Sequence, residues 1–204
     1  MPELALIGWI AFGVLALGGR ILLQLRRTGS TGVSGISGSF GSIEWLGGAL
    51  FALSLLAGGL APALQLTDVL EPVEALDALG VQMAGILLYA FGLAVCVGAQ
   101  LAMGASWRIG VDEAESTDLV TDGPFAVVRN PIYSGVIPLV AGLALLAPNP
   151  VSIGAFIAML AALEIQVRLV EEPHLLRAHD PAYREYAGRV GRFVPGLGLL
   201  RERG

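Results

Sequence analysis

Two polar stretches interrupt an apolar chain and carry the side chains that could do chemistry. The first is LVTDGPFAVVRNPIYSG, residues 119–135. Its Asp-Gly-Pro sequence favours a turn, and Pro131 suits the first turn of a following helix. The exposed amides of such a helix start can bind a carboxylate or another anionic group. A turn that only begins the helix would use the same residues. An anion-binding site and a purely structural helix start therefore both stay open.

The second stretch closes the last apolar segment with Glu164, Arg168, Glu171 and Glu172. Spacings of four and three place Glu164, Arg168 and one of the paired glutamates on one helix face. Glu164 lies about two turns inside the apolar segment, where a carboxylate is costly unless it is paired or faces a wet cavity. Glu164 is therefore a functional candidate. The alternative is a Glu164–Arg168 ion pair that only neutralises itself.

The other candidate residues do not favour metal, redox or nucleic-acid chemistry. Glu171, Glu172, His174 and His179 match neither H-E-x-x-H nor the paired E-x-x-H of di-iron bundles, so no metal site is predicted. Cys96 is the single cysteine, which excludes a disulfide within the chain and a C-x-x-C motif. The sequence has no basic stripe with interleaved aromatic residues, so nucleic-acid binding is not predicted.

The elements that must position these residues are membrane helices. The 204 residues are 55% hydrophobic and 14% charged, against about 25% charged in soluble domains. Apolar segments occur at 4–25, 43–64, 81–103, 133–147 and 151–170. The first three reach the roughly 20 residues that a helix needs to cross a bilayer, and the fourth is short. Pro-Asn-Pro at 148–150 predicts a tight hairpin between the last two. We therefore predict one all-α integral membrane domain, residues 1–204, with about five transmembrane helices.

Charge indicates how these helices are oriented. All twelve basic residues are arginines, and with five crossings they fall on one side, whereas the loop 65–80 on the other side holds only acidic charges. The positive-inside rule makes the arginine side cytoplasmic. The prediction is a multi-pass protein of the cell membrane with its N-terminus outside and its C-terminus in the cytoplasm. The Gly/Ser-rich stretch 28–42 lacks the lysine and the strand of a phosphate loop, and we interpret it as a flexible cytoplasmic connector.

The two polar stretches together resemble one known family. Residues 119–135 are similar to the L-V-x-x-G-x-Y-x-x-x-R-H-P-x-Y-x-G motif of isoprenylcysteine carboxyl methyltransferases and their bacterial relatives. The tail EEPHLLRAHDPAYREYAGRVGRFVP resembles the family's E-E-x-x-L and Y-x-x-Y-x-x-x-V pattern. The resemblance runs from about Trp107 to Pro195. It divides the chain into three generic helices, 1–103, and a methyltransferase-like catalytic region, 104–204. Phe125 and Asn130 stand where the family usually has Tyr and His.

This resemblance implies S-adenosylmethionine as the methyl donor, held by the cytoplasmic tail region, and a lipophilic acceptor that enters from the bilayer. We expect the acceptor to be a carboxylate of the isoprenylcysteine or isoprenoid type. A phospholipid amine is the alternative acceptor. An NADPH-dependent membrane reductase of the sterol reductase type and a non-catalytic scaffold are alternative functions. The expected cofactor-binding residues are Leu119, Val120, Phe125, Arg129, Asn130, Pro131, Ile132, Tyr133, Glu171 and Glu172.

Two residues are expected to act on the acceptor. Methyl transfer from a sulfonium needs in-line alignment and exclusion of water, and a carboxylate acceptor needs no general base. Arg168 lies near the position of the family's substrate-carboxylate arginine and could orient that carboxylate by a bidentate contact. An amine acceptor would instead have to lose a proton, which Glu164 or Glu172 could accept. Arg168 and Glu164 are therefore the predicted catalytic residues.

Overall fold

The computed structural model describes residues 1–33, 35–36, 38–107 and 119–200, and these residues are almost entirely helical. Beyond the helices, the described residues form three short 3₁₀ turns and an isolated parallel bridge between Val128 and Gly191. The all-α prediction is confirmed. The helices are α1, Pro2–Thr28; α2, Ile43–Leu66; α3, Leu79–Ala102; α4, Pro131–Leu146; α5, Pro150–His179; and α6, Ala182–Arg189.

Four of these helices are long and apolar enough to cross a bilayer: α1, α2, α3 and α5. The fourth predicted segment forms α4, which has 16 residues. At 1.5 Å per residue it spans roughly 24 Å, less than the roughly 30 Å of hydrocarbon. Nine of its 16 residues are buried by the other helices. A short helix is tolerated there because protein surrounds it, and the count of five spans stays a prediction.

Glycines bring α4 unusually close to α3. A Cβ atom at Gly92 would lie 2.4 Å from the backbone nitrogen of Leu139, and one at Gly135 would lie 2.5 Å from that of Cys96. The two backbones therefore touch where only hydrogen can fit, which is how small residues pack membrane helices. This contact fixes the start of α4 against the end of α3.

The predicted hairpin between the last two segments is present as the turn between α4 and α5. Asn149 is fully buried, and its side-chain oxygen accepts from the amide of Ser152 at 2.9 Å, which caps α5. Its amide group donates to the side-chain oxygen of Gln65 at 2.8 Å. These hydrogen bonds join the turn to the end of α2.

The C-terminal tail folds back onto the segment that precedes α4. The amides of Arg129 and Asn130 donate to the carbonyls of Gly191 and Arg192, at 2.8 and 3.1 Å. The hydroxyl of Ser134 donates to the carbonyl of Phe193 at 2.8 Å. The motif at 119–135 and the tail at 191–193, which are about 60 residues apart at these contacts, thus form one unit at one end of the bundle.

Candidate functional site

A cavity of about 430 Å³ lies at the end of the bundle where the two polar stretches meet, within the size range of small-molecule sites. Most of the residues predicted to bind a cofactor line it: Leu119, Val120, Phe125, Arg129, Asn130, Pro131, Ile132, Tyr133 and Glu171. The opposite part of the wall comes from the first three helices and includes Phe12, Leu17, Phe51 and Cys96. One chamber therefore joins the motif residues to an apolar surface.

Glu171 on the cavity wall accepts hydrogen bonds from Tyr133 and Gln166. The hydroxyl of Tyr133 donates to its Oε1 atom at 2.7 Å, and the amide of Gln166 donates to the same atom at 3.2 Å. Gln166 and Glu171 begin and end a π-helical stretch within α5. Such stretches are rare, occur frequently at functional sites, and change which side chains share a face. Here the stretch places Glu171 opposite Tyr133 of α4.

Glu172 points elsewhere and does not line the cavity. Its carboxylate accepts from Arg129 Nη2 at 2.7 Å and from Arg192 Nε and Nη2 at 2.7 and 2.9 Å. Consecutive helical residues point about 100° apart, so only one of the paired glutamates can face the chamber. The structure therefore does not support Glu172 as a cofactor contact. It is the buried anion between two arginines, and its hydrogen bonds raise the pKa of Arg192.

Arg129 borders the cavity, but its charge is directed into the protein. Its guanidinium group donates to Glu172, to the carbonyl of Ala187 at 2.9 Å, to that of Val190, and to that of Gly198 at 3.0 Å. The side chain is 1% exposed. Arg129 therefore fastens the start of α4 to α5 and to the tail, and it stabilises the wall.

The two predicted catalytic residues lie outside the cavity. Arg168 and Glu164 form an ion pair with each other on α5, their side chains are 54% and 45% exposed, and neither lines the chamber. The prediction assumed a regular helix with one face running from Glu164 to Glu171, and the π-helical stretch between them breaks that regularity. Their geometry agrees with the alternative interpretation, in which Glu164 and Arg168 only neutralise each other's charge.

Sequence reasoning missed several wall residues from the tail. Tyr183, Tyr186, His174 and His179 line the cavity, and the hydroxyl of Tyr186 donates to the carbonyl of Phe125 at 2.6 Å. Burial raises the pKa of Tyr186 to about 12, so the hydroxyl keeps its proton near neutral pH. The Y-x-x-Y part of the tail pattern was a usable signal for the two tyrosines.

A buried arginine on α1 contacts another wall residue that the sequence did not predict, Trp107. Arg20 donates to the side chain of Gln24 at 3.0 Å and to the carbonyl of Gly104, and its guanidinium lies 4.6 Å from the centre of the Trp107 ring. Cation–π contacts of this kind stabilise a buried arginine. They hold Gly104 and Trp107 against α1 beside the chamber.

Comparison with known proteins agrees with this arrangement. Residues 81–181 match the model of the phospholipid methyltransferase family. The nickel-cobalt-cadmium resistance protein NccN of Alcaligenes xylosoxydans xylosoxydans is 31% identical over 100 residues, which are 48% of this chain and 46% of that protein. The chain thus matches slightly less than half the length of this curated relative.

The fold is similar to that of a solved enzyme. The eukaryotic intramembrane Ras methyltransferase, an isoprenylcysteine carboxyl methyltransferase, superposes with a TM-score of 0.51 and 22% sequence identity, over 89% of this chain and 74% of the other. The relationship predicted from the two motifs is confirmed. Residues 81–181, slightly less than half of the chain, match the phospholipid methyltransferase family, and the chain has a multi-pass membrane fold similar to that of an isoprenylcysteine carboxyl methyltransferase.

Proposed function

We propose that the chain is a methyltransferase that uses S-adenosylmethionine and acts on a lipophilic acceptor. The observation that carries this proposal is a cavity of about 430 Å³ whose wall combines the motif residues with an apolar surface from the first three helices. A polar methyl donor and an apolar acceptor need such a chamber, because the reaction requires both molecules in line and without water between them.

The motif wall has the groups that this donor would need. Glu171 is fixed by Tyr133 and Gln166 and offers a carboxylate to the amino or ribose groups of the donor. Leu119, Val120 and Phe125 offer apolar contact for its adenine ring. The donor supplies a methyl group on a positively charged sulfur, and that charge is lost as the methyl leaves. A carboxylate near the site also favours binding of the cationic donor.

The apolar wall supports a lipophilic acceptor. Phe12 and Leu17 of α1, Phe51 of α2 and Val136 and Leu163 of the hairpin line this part of the chamber. Burial of a hydrocarbon chain against such side chains stabilises binding by roughly 25 cal/mol per Å². The expectation of a carboxylate acceptor depended on Arg168, which lies outside the chamber, so the reacting group is open at this point.

A thermal-shift comparison of the purified chain in detergent tests the function. S-adenosylhomocysteine should raise the unfolding temperature, because a ligand that binds only the folded state stabilises it. NADPH at the same concentration should have no effect. Stabilisation by NADPH alone would instead support a reductase of the sterol reductase type, and no response to either compound would support a non-catalytic scaffold.

We also propose that the cavity lies on the cytoplasmic side of the cell membrane, with the N-terminus outside, because the arginines lie at this end of the helices. The native Cys96 is buried, so it contributes little background to labelling. A cysteine introduced at Glu74 should react with an impermeant thiol reagent on intact cells, and one introduced at Arg184 should not. The reverse pattern would contradict this orientation.

A further inference from the structure

The apolar part of the chamber contains a buried amide side chain. Gln100 lies near the end of α3, is 5% exposed and lines the cavity. Cys96 and Met103, one turn before and one turn after it on the same helix face, also line the cavity, as does Leu17 of α1. A polar group buried in a membrane domain is costly unless it is hydrogen-bonded, so its partners indicate what it does.

The nitrogen end of this amide is used within the protein. Gln100 Nε2 donates to the carbonyl of Ala16 in α1 at 3.0 Å. A carbonyl oxygen needs a donor, so this contact decides which end of the amide is the nitrogen. Ala16 lies in a π-helical stretch of α1, Gly13–Gly18. Such stretches occur frequently at functional sites, and the chamber is bordered by one in α1 and by one in α5.

The oxygen end of the amide is open to the chamber. Gln100 Oε1 accepts no hydrogen bond from the part of the chain that the structure describes. The unpaired Nε atoms of Arg20 and Arg129 are enclosed by protein, whereas Gln100 Oε1 is not. It therefore reaches open space, and the open space that Gln100 borders is the chamber. An oriented acceptor atom without a donor indicates a ligand that supplies one.

A second buried glutamine at the same helix contact serves as a structural reference. Gln24 of α1 is 4% exposed, and its Nε2 donates to the carbonyl of Ala105, just after α3, at 2.7 Å. Its side-chain oxygen accepts from Arg20 at 3.0 Å, and it does not line the chamber. Both ends of this amide are therefore used to join α1 to the end of α3. Gln100 makes the same kind of contact with its nitrogen alone, so packing does not account for its oxygen.

The surroundings of Gln100 select the kind of donor. The neighbouring wall residues Leu17, Cys96 and Met103 are apolar, and a cationic or anionic head group would lose its hydration beside them. An ionised carboxylate also has no hydrogen to donate. A hydroxyl or an amide N–H costs less to bury, and either can donate to the amide oxygen.

We propose that Gln100 determines which acceptors bind: its Oε1 atom accepts a hydrogen bond from a neutral head group, a hydroxyl or an amide N–H, on a molecule with an apolar chain. This inference rests on the proposed methyltransferase function and specifies the head group of the acceptor. It does not favour the carboxylate that the sequence suggested. Hydroxyls and amide N–H groups share the required chemistry, so the test includes both.

Paired probes with and without a hydrogen-bond donor test this role. The full chain in detergent, saturated with S-adenosylhomocysteine, is titrated with dodecanol and methyl dodecyl ether, and separately with N-dodecylacetamide and its N-methyl derivative. The wild type should bind the donor-bearing member of at least one pair roughly tenfold more tightly. In Gln100→Met the two members of that pair should bind within about twofold of each other. In Gln24→Met, the matched control, the preference should stay as in the wild type.

The unfolding temperature separates this role from a structural one. Gln24→Met removes two hydrogen bonds and Gln100→Met removes one, so Gln24→Met should lower the unfolding temperature at least as much while it keeps the preference. Equal loss of preference in both variants would overturn the inference, because the amide would then act only through the fold.

The remaining outcomes separate the two proposals. A wild type that prefers neither donor-bearing probe would overturn the inference while the methyltransferase proposal stands, and this measurement decides even where Gln100→Met does not fold. A folded Gln100→Met variant that loses affinity for S-adenosylhomocysteine would place Gln100 at the methyl donor and would also overturn it. Failure of the wild type to bind S-adenosylhomocysteine would overturn both proposals.

Discussion

The two parts of the cavity wall are built in different ways. The donor part is held by hydrogen bonds that join distant stretches, such as Tyr133 to Glu171 at 2.7 Å and Tyr186 to the carbonyl of Phe125 at 2.6 Å. The acceptor part consists of apolar side chains and close glycine packing, with Ile36 on Gly48 as an example. Hydrogen bonds between wall residues fix the shape of the first part, whereas apolar packing can accommodate ligands of different shape. We propose that the hydrogen-bonded part binds the methyl donor and that the apolar part binds the acceptor.

The largest effect is expected from the buried charges behind the donor wall. Glu172→Ala would leave Arg129 and Arg192 without their shared carboxylate, and loss of one member of a buried ion pair costs about 3–5 kcal/mol. The free energy of unfolding in mixed micelles should fall by about that amount. Glu185→Ala, which breaks an exposed pair with Arg189, should cost less than about 1 kcal/mol. Equal losses in the two variants would show that the buried cluster does not hold the wall.

The next largest effect is expected at Glu171, the proposed contact to the methyl donor. Glu171→Gln keeps the shape of the side chain but removes its charge, and charge-assisted hydrogen bonds contribute about 1.5–3 kcal/mol. The affinity for S-adenosylhomocysteine, measured by isothermal titration, should fall roughly ten- to a hundredfold. Glu185→Gln is the control for the change in net charge. A folded Glu171→Gln variant with wild-type affinity would remove Glu171 from the site.

The smallest effect is expected from the residues that the sequence predicted to be catalytic. Arg168→Gln breaks an exposed pair with Glu164, and such pairs contribute about 0.2–1 kcal/mol to stability. The rate of methyl transfer and the affinity for S-adenosylhomocysteine should both stay within about twofold of the wild type. A loss of transfer with unchanged stability would restore Arg168 to the acceptor site and contradict the structural assignment.

The part of the cavity wall that the motif residues form was largely predictable from the sequence. Turn and proline signals at 122–131 place Asn130 and Pro131 at a helix start, and the motif resemblance added Leu119, Phe125 and Tyr133, all of which line the cavity. The all-α membrane fold follows equally directly, because apolar segments of about 20 residues leave few alternatives.

The orientation of the side chains on α5 could not be predicted. A regular helix places Glu164, Arg168 and Glu171 on one face. The π-helical stretch from Gln166 to Glu171 changes which side chains share a face. No residue type in this stretch predicts a π-helix. As a result helix periodicity alone could not separate the cavity carboxylate Glu171 from the exposed Glu164 or from the buried Glu172.

The sequence also could not predict which residues of the first three helices line the cavity. The first three helices are apolar on all sides, so their pattern does not separate residues that face lipid from residues that face a chamber. Leu53 and Phe51 of α2 illustrate this, since Leu53 is 60% exposed on the outer surface and Phe51 lines the cavity.

One measurement tests the central claim, that a single chamber brings a polar methyl donor to a lipophilic acceptor. Membranes that contain the chain are incubated with S-adenosylmethionine labelled with tritium in the methyl group, and the label in the organic extract is counted. The wild type should transfer label into this extract. Glu171→Gln should transfer much less at low donor concentration and recover as that concentration rises, because its defect lies in donor binding. Absence of label with the wild type, or equal transfer by both proteins at every donor concentration, would contradict the account.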